Sequence, residues 1–296
     1  MCDCFLSLED LAVMRIIYFT VYLVCFCCSF NLFSSTSFRT AFLVTEQRAL
    51  AEPNQLIEEL VITQAAQRIS TTEHAYNNTL LARLYLFKGD IARSQSYFEL
   101  AQQQLPKDDD WIQGYWLMYR SVFSLEEGLL PESIKQIRLA QNAFIQANDL
   151  EMLVQAESIE GALLLWQEEY PKAIEIIENA YIEAKTANMS STTMLYVYDS
   201  LAAYYSTMSL FEKGEQYAVL ARDLASKNGN VVNGLPVIYI LCMTYERAEK
   251  LDSAAACYEE MIMLSAMVKA PRYLFLAPAG KANVALKQKK YSQALQ

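Results

Sequence analysis

The chain has 296 residues, 53% of them hydrophobic and 20% charged, and 34 acidic against 24 basic side chains give a formal net charge of −10. That much apolar material excludes wholesale disorder. A mostly acidic surface, whose longest basic cluster is K-Q-K-K at 287–290, excludes a polyanion such as nucleic acid as a partner. Ala, Leu, Gln and Glu dominate, alternating Val/Thr runs are missing, and 8 Gly and 7 Pro leave few tight turns, so the class is all-α.

At the N-terminus, residues 16–33, IIYFTVYLVCFCCSFNLF, form an uncharged apolar run behind Arg15. Its strongest part, Ile16 to Cys28, has the length of a signal-peptide core and is short for a membrane span, which needs about 20 residues. Ser35 and Ser37 offer a cleavage site before Phe38, and a poor match to A-x-A keeps an uncleaved anchor open. The preceding MCDCFLSLEDLAV carries Asp3, Glu9 and Asp10 and no base, so translation is expected to start at Met14. Residues 1–37 are therefore read as a signal peptide or N-terminal membrane anchor. The chain is expected to be exported to a bacterial periplasm, or anchored in the inner membrane facing it, with membrane contact only through residues 14–33 if they are uncleaved. Five of the seven cysteines lie in this stretch, and Cys2 and Cys4 have no His or further Cys at zinc spacing. Cys242 and Cys257 are read as two buried core thiols, with a disulfide as the alternative in an oxidising compartment.

Pro53 can start a helix running to about Arg68, with Leu56, Ile57, Leu60, Val61 and Ala65 on one face. Further on, residues 82–106, ARLYLFKGDIARSQSYFELAQQQLP, place Ala82, Tyr85, Gly89, Ser94, Phe98, Ala101 and Pro106 at offsets 0, 3, 7, 12, 16, 19 and 24. Counterparts of Ser94 recur as Ser133, Ala173, Gly214, Ala254 and Ala294, at steps of 39, 40, 41, 40 and 40. Those of Ala82 are Ser121, Gly161, Ala202, Cys242 and Ala282, and those of Ala101 are Ala140, Ala180, Ala221 and, as the one large departure, Met261. Small residues at such positions let two helices approach to the short end of the ~8–10 Å range. Turn signals fall between the helices at Lys88-Gly89-Asp90, Glu126-Glu127-Gly128 and Glu249 to Asp252, and stop signals fall between the pairs at Pro106 to Asp110, Asn148, Asn188 and Asn228-Gly229-Asn230.

This lattice resembles the tetratricopeptide repeat, lengthened from the family's usual period to about 40 residues. The resemblance implies a right-handed α-solenoid of antiparallel helix pairs. Residues 38–72 are then a capping segment and decayed repeat, and residues 73–296 carry the repeats, the sixth truncated. The last residues, KANVALKQKKYSQALQ, read as a turn followed by the start of a helix, so the chain is expected to be a fragment.

No constellation for chemistry is found. His74 is the sole histidine and sits in a polar segment, phosphate-binding glycine loops are missing, and Asp108-Asp109-Asp110 reads as a loop with an N-cap. Trp111, Trp116 and Trp166 sit in first helices at core-like spacing. The family resemblance places positions three before and one after the first small residue in the concave groove: Thr79 and Arg83, Met118 and Val122, Ser158 and Ala162, Asp199 and Ala203, Tyr239 and Met243. The candidates taken from these are Arg83, Met118, Val122, Asp199, Tyr239 and Met243, with Trp166 extending an apolar patch. Of a carboxylate clamp known in the family only Asn283 matches. The expected function is a non-catalytic scaffold or sensor region of the cell envelope, without cofactor or metal, that takes a partly hydrophobic protein or peptide in the groove. The alternative is the periplasmic sensory portion of a larger signalling enzyme, a diguanylate cyclase or histidine kinase.

Overall fold

The computed structural model describes residues 39–65 and 69–290. The readings that fall on residues 1–38 and 291–296, the export address and the start of a further helix, lie outside them. The described residues form helices and turns with no strand. Two compact units divide the chain at 47/48. Of the first, the described part is the beginning of α1 (39–51).

The second unit holds α2 (Pro53–Ala65), α3 (Thr71–Phe87), α4 (Ile91–Gln104), α5 (Asp110–Glu126), α6 (Leu130–Gln146), α7 (Leu150–Trp166), α8 (Tyr170–Thr186), α9 (Ser191–Thr207), α10 (Phe211–Lys227), α11 (Val231–Arg247), α12 (Leu251–Met267) and α13 (Pro271–Lys287). Consecutive helices pack on each other, as a solenoid requires. In α2 the buried face is Leu56, Ile57 and Leu60, whereas Val61 and Ala65, expected on it, are exposed.

Every helix from α5 to α13 has 17 residues. The 40-residue period thus resolves into two such helices with their turns. Ten helices end on a residue in the left-handed region: Gly89, Gly128 and Gly229 where glycine supplies it, Asn148 and Asn188 where asparagine does, and Glu168, Ser209, Glu249, Lys269 and Lys289 where a less suited residue is forced into it. The bonding repeats as well. Gly89 N–H donates to Leu86 O at 2.9 Å and Asp90 N–H to Tyr85 O at 2.9 Å, matched by Gly128 to Leu125 at 2.9 Å and Leu129 to Ser124 at 2.8 Å. At the other end, side chains of Ser70, Asp109, Asp149, Ser190 and Asn230 cap α3, α5, α7, α9 and α11, the first helices of five successive pairs.

The small-residue lattice is where paired helices touch. Ser94 Oγ donates to Ala82 O at 2.9 Å and Ser133 Oγ to Ser121 O at 2.7 Å, the same bond one repeat on. A Cβ on Gly161 would lie 2.3 Å from Ile177 Cγ1, and one on Gly214 would lie 2.4 Å from Ser206 Oγ, so these crossings admit no larger residue without movement. A second register, three residues beyond the lattice, carries matched pairs: Tyr85 stacks on Tyr97 with centroids 5.4 Å apart, Tyr205 on Tyr217 at 5.6 Å, and the degenerate repeat substitutes a Ser124 to Gln136 hydrogen bond of 2.9 Å.

Cys242 and Cys257 are not two thiols. Their Cα atoms stand 5.3 Å apart on α11 and α12 and the sulfurs are bonded. The small-residue crossing brings the backbones within the separation a disulfide spans, which periodicity alone did not reveal.

Within the second unit the stack curls until its last helices meet its first. Asn54 Nδ2 donates to Val268 O at 2.9 Å while Lys88 Nζ donates to Asn54 Oδ1 at 2.6 Å. Phe87 and Tyr273 rings lie 5.9 Å apart, and Arg272 pairs with Glu126 at 2.7 Å. At this seam Gly89 permits close approach, since a Cβ there would stand 3.3 Å from Arg272 Cβ.

Candidate functional site: a cavity on the concave face

The odd-numbered helices from α3 to α13 line the inside of the curl. Toward its N-terminal end the axis is filled by rings. Tyr76 stacks on Trp111 at 5.6 Å, Trp111 on Tyr115 at 5.3 Å, and Tyr115 meets Tyr119 edge-on at 4.8 Å. Over the Tyr119 ring, 4.2 Å from its centroid, lies the Arg83 guanidinium. Arg83 is only 4% exposed and reaches across the axis, donating to Tyr115 Oη at 3.2 Å, Tyr196 Oη at 3.3 Å and Asn233 Oδ1 at 3.2 Å. Tyr119 and Tyr196 hydroxyls are bonded at 3.0 Å. Helices α3, α5, α9 and α11, up to 150 residues apart in sequence, are thereby tied into one layer.

Beyond this layer opens a cavity of about 740 Å³. Its walls are largely apolar, with Leu86, Val122, Ile159, Leu163, Ile240 and Leu276 among them. Two polar atoms in those walls are buried without a partner, Asp199 Oδ1 and Asn233 Nδ2. The orientation of Asn233 follows from Arg83. An arginine offers only donors, so the Asn233 oxygen must face it and the NH₂ is turned the other way. Asp199 has the complementary character. Burial pushes its carboxyl up to about 7, so near neutrality it holds a proton about half the time. A buried donor or acceptor left unmade costs about 1–3 kcal/mol, and these two atoms lie sealed within the wall.

Of the candidates read from the sequence, Arg83, Val122, Trp166, Asp199, Tyr239 and Met243 all border this cavity, Trp166 at its mouth with 71% of its surface exposed. Met118 does not. It is fully buried, because position 118 falls at the level of Tyr115 and Tyr119, where rings fill the axis. The sequence reading missed Tyr119, Tyr196 and Asn233. Asn233 follows the Asn228-Gly229-Asn230 stop signal and reads as part of it, while its partner Arg83 lies 150 residues away. Trp111 is core, stacked as described, and donates through Nε1 to Asp149 at 2.8 Å. His74 pairs through Nδ1 with Gln64 rather than standing alone on the surface, and Asp109 caps α5. Among the described residues no cluster of His, Cys, Asp and Glu suits a metal ion, and no helix is long and apolar enough to cross a membrane.

No protein-family model and no curated protein matches the sequence. Solved structures do match in fold. The crystal structure of a Rap protein complexed with Competence and Sporulation Factor superposes with a TM-score of 0.64 at 12% identity, covering 88% of this chain and 81% of that one. A signal transduction ATPase with a tetratricopeptide repeat sensor from Pyrococcus horikoshii gives 0.49 at 17% identity, over 81% of this chain and 37% of that one. The apo form of RapI gives 0.47 at 14%, over 79% and 64%. The chain has a tetratricopeptide-like helical repeat fold, an all-α solenoid.

Proposed function

We propose that this chain is a non-catalytic helical-repeat scaffold that binds a short peptide in the cavity on its concave face. The observation that carries the reading is a largely apolar cavity of about 740 Å³ on which a few polar side chains converge, Arg83, Tyr119, Tyr196 and Asp199 among them. Peptides supply the complements: carbonyl oxygens and N–H groups for the polar side chains, and apolar side chains for the walls. The fold neighbour complexed with Competence and Sporulation Factor, which shares the architecture over most of both chains, lends support.

The size of the cavity narrows the partner. A space of about 740 Å³ accommodates an extended segment of a few residues.

The place of action is inferred as the cell envelope, from the apolar N-terminal run and from the Cys242–Cys257 disulfide, a bond that persists in oxidising compartments. Fusion of residues 14–45 to a periplasm-dependent reporter tests this, and an inactive fusion refutes it. For binding, a random pool of short synthetic peptides is passed over the purified chain and over Ala162→Trp, which fills the cavity from α7. Retention by the native chain and loss in the variant is the expected result, while equal retention by both overturns the cavity as the site.

A further inference from the structure

The layer around Arg83 also ends the cavity. Of the rings that continue along the axis, Tyr76, Trp111 and Tyr115 are buried and border no part of it, whereas Arg83, Tyr119, Tyr196 and Asn233 all do. The hydrogen bonds of this layer run crosswise, from α3 to α9, from α3 to α11 and from α5 to α9, so a chain cannot pass between the helices without breaking them. The opposite end has a different character: Glu126, Trp166, Glu168, Arg247 and Arg272, from the ends of helices and their turns, surround a mouth in contact with solvent. The space is closed by a hydrogen-bonded floor and open at a charged rim.

We propose that the cavity is a blind socket that seats the end of an extended chain, whose leading group meets the layer of Arg83, Tyr119 and Tyr196. This rests on the peptide-binding reading and sharpens it: the ligand is a terminus or a free short peptide, not a segment threaded through the superhelix. Arg83 acts here as a positioning residue. It holds α9 and α11 against α3.

Two measurements test the socket. A randomised pentapeptide library is displayed at the C-terminus of a carrier protein, at its N-terminus, and within a loop flanked on both sides, and each format is selected on the native chain. Enrichment in one of the end formats, with the loop format at least thirtyfold weaker, is expected. Equal enrichment from the loop overturns the socket and leaves peptide binding standing. No enrichment in any format counts against peptide binding, and the floor is then decided without a ligand. In Trp116→Phe/Trp166→Phe the remaining tryptophan, Trp111, lies behind the layer, and its quenching by acrylamide is expected to be weak. Arg83→Ala should raise the quenching slope at least threefold with helix content unchanged. Tyr196→Phe, which deletes two bonds of the layer without altering shape, should raise it to a lesser degree. A slope unmoved by both variants refutes the floor.

Discussion

Asp199 is the residue at which folding and binding pull in opposite directions. Its carboxyl is raised from the ordinary carboxylate value of 3.8 to about 7 because burial penalises the charge. A raised acid binds more protons folded than unfolded between those two values, so stability is retained below about 4 and declines as pH rises toward 7. Asp199→Asn removes the ionisation at nearly constant shape. Thermal denaturation should therefore show the variant on the order of 10 °C more stable than the native chain at pH 8, at ~1.4 kcal/mol per pKa unit and ~2–4 °C per kcal/mol for a chain of this size, with the difference nearly gone at pH 4. A constant difference at both pH values would deny that the charge is the cause. The same substitution is expected to weaken retention of cationic peptides, because the negative charge that would face a ligand cation is lost.

At the scale of the element, the sequence was legible where physics leaves one solution and silent where it leaves several. Small residues at 82, 94 and 101 and their counterparts could be read because a helix crossing excludes side-chain volume, and the structure places Ala82, Ser94, Ala101, Ala140 and Ala180 at zero exposure in those crossings. Helix ends at Gly89, Gly128, Asn148 and Asn188 could be read because left-handed backbone favours those types. The ends at Glu168 and Lys269 could not, since their residues signal nothing of the kind, and tertiary packing imposes the conformation there as it does at Glu249. Such positions hold recoverable strain. Glu249→Gly is expected to stabilise the chain by about 1 kcal/mol, read as a higher denaturant midpoint at unchanged slope. The disulfide was equally hidden, because Cys242 and Cys257 are also acceptable as small core residues. Replacing both with alanine opens a closed loop of 15 residues, for which the chain-entropy account gives about 3 kcal/mol of lost stability, measurable by the same denaturation.

For the second unit taken whole, the informative contacts join parts that no periodicity connects. Six of the seven groove positions face one cavity because they share a register within the repeat, but the curl that turns a groove into a cavity depends on meetings across the chain: Arg83 with Asn233, Asn54 with Val268, and Arg272 with Glu126. At the seam an ion pair, two hydrogen bonds and the Phe87–Tyr273 ring contact stand against the continuous apolar packing between neighbouring helices, so the seam is expected to yield before those neighbours part. An ion pair as accessible as that of Arg272 and Glu126 is worth ~1 kcal/mol or less and is screened by salt. That suffices to bias a joint without holding it rigid. In small-angle scattering, Arg272→Ala should increase the radius of gyration at low ionic strength, and 0.5 M sodium chloride should move the native chain toward the variant's value while leaving the variant unmoved, with the helix content of both constant. If the native and variant chains scatter identically at every salt concentration, the apolar contact of Phe87 with Tyr273 holds the seam by itself and the ion pair contributes nothing to closure. The interior ties at Arg83 lie deeper and are screened less, so salt should open the mouth before it disturbs the floor. The quenching of Trp111 should accordingly stay flat over the salt range in which the scattering changes.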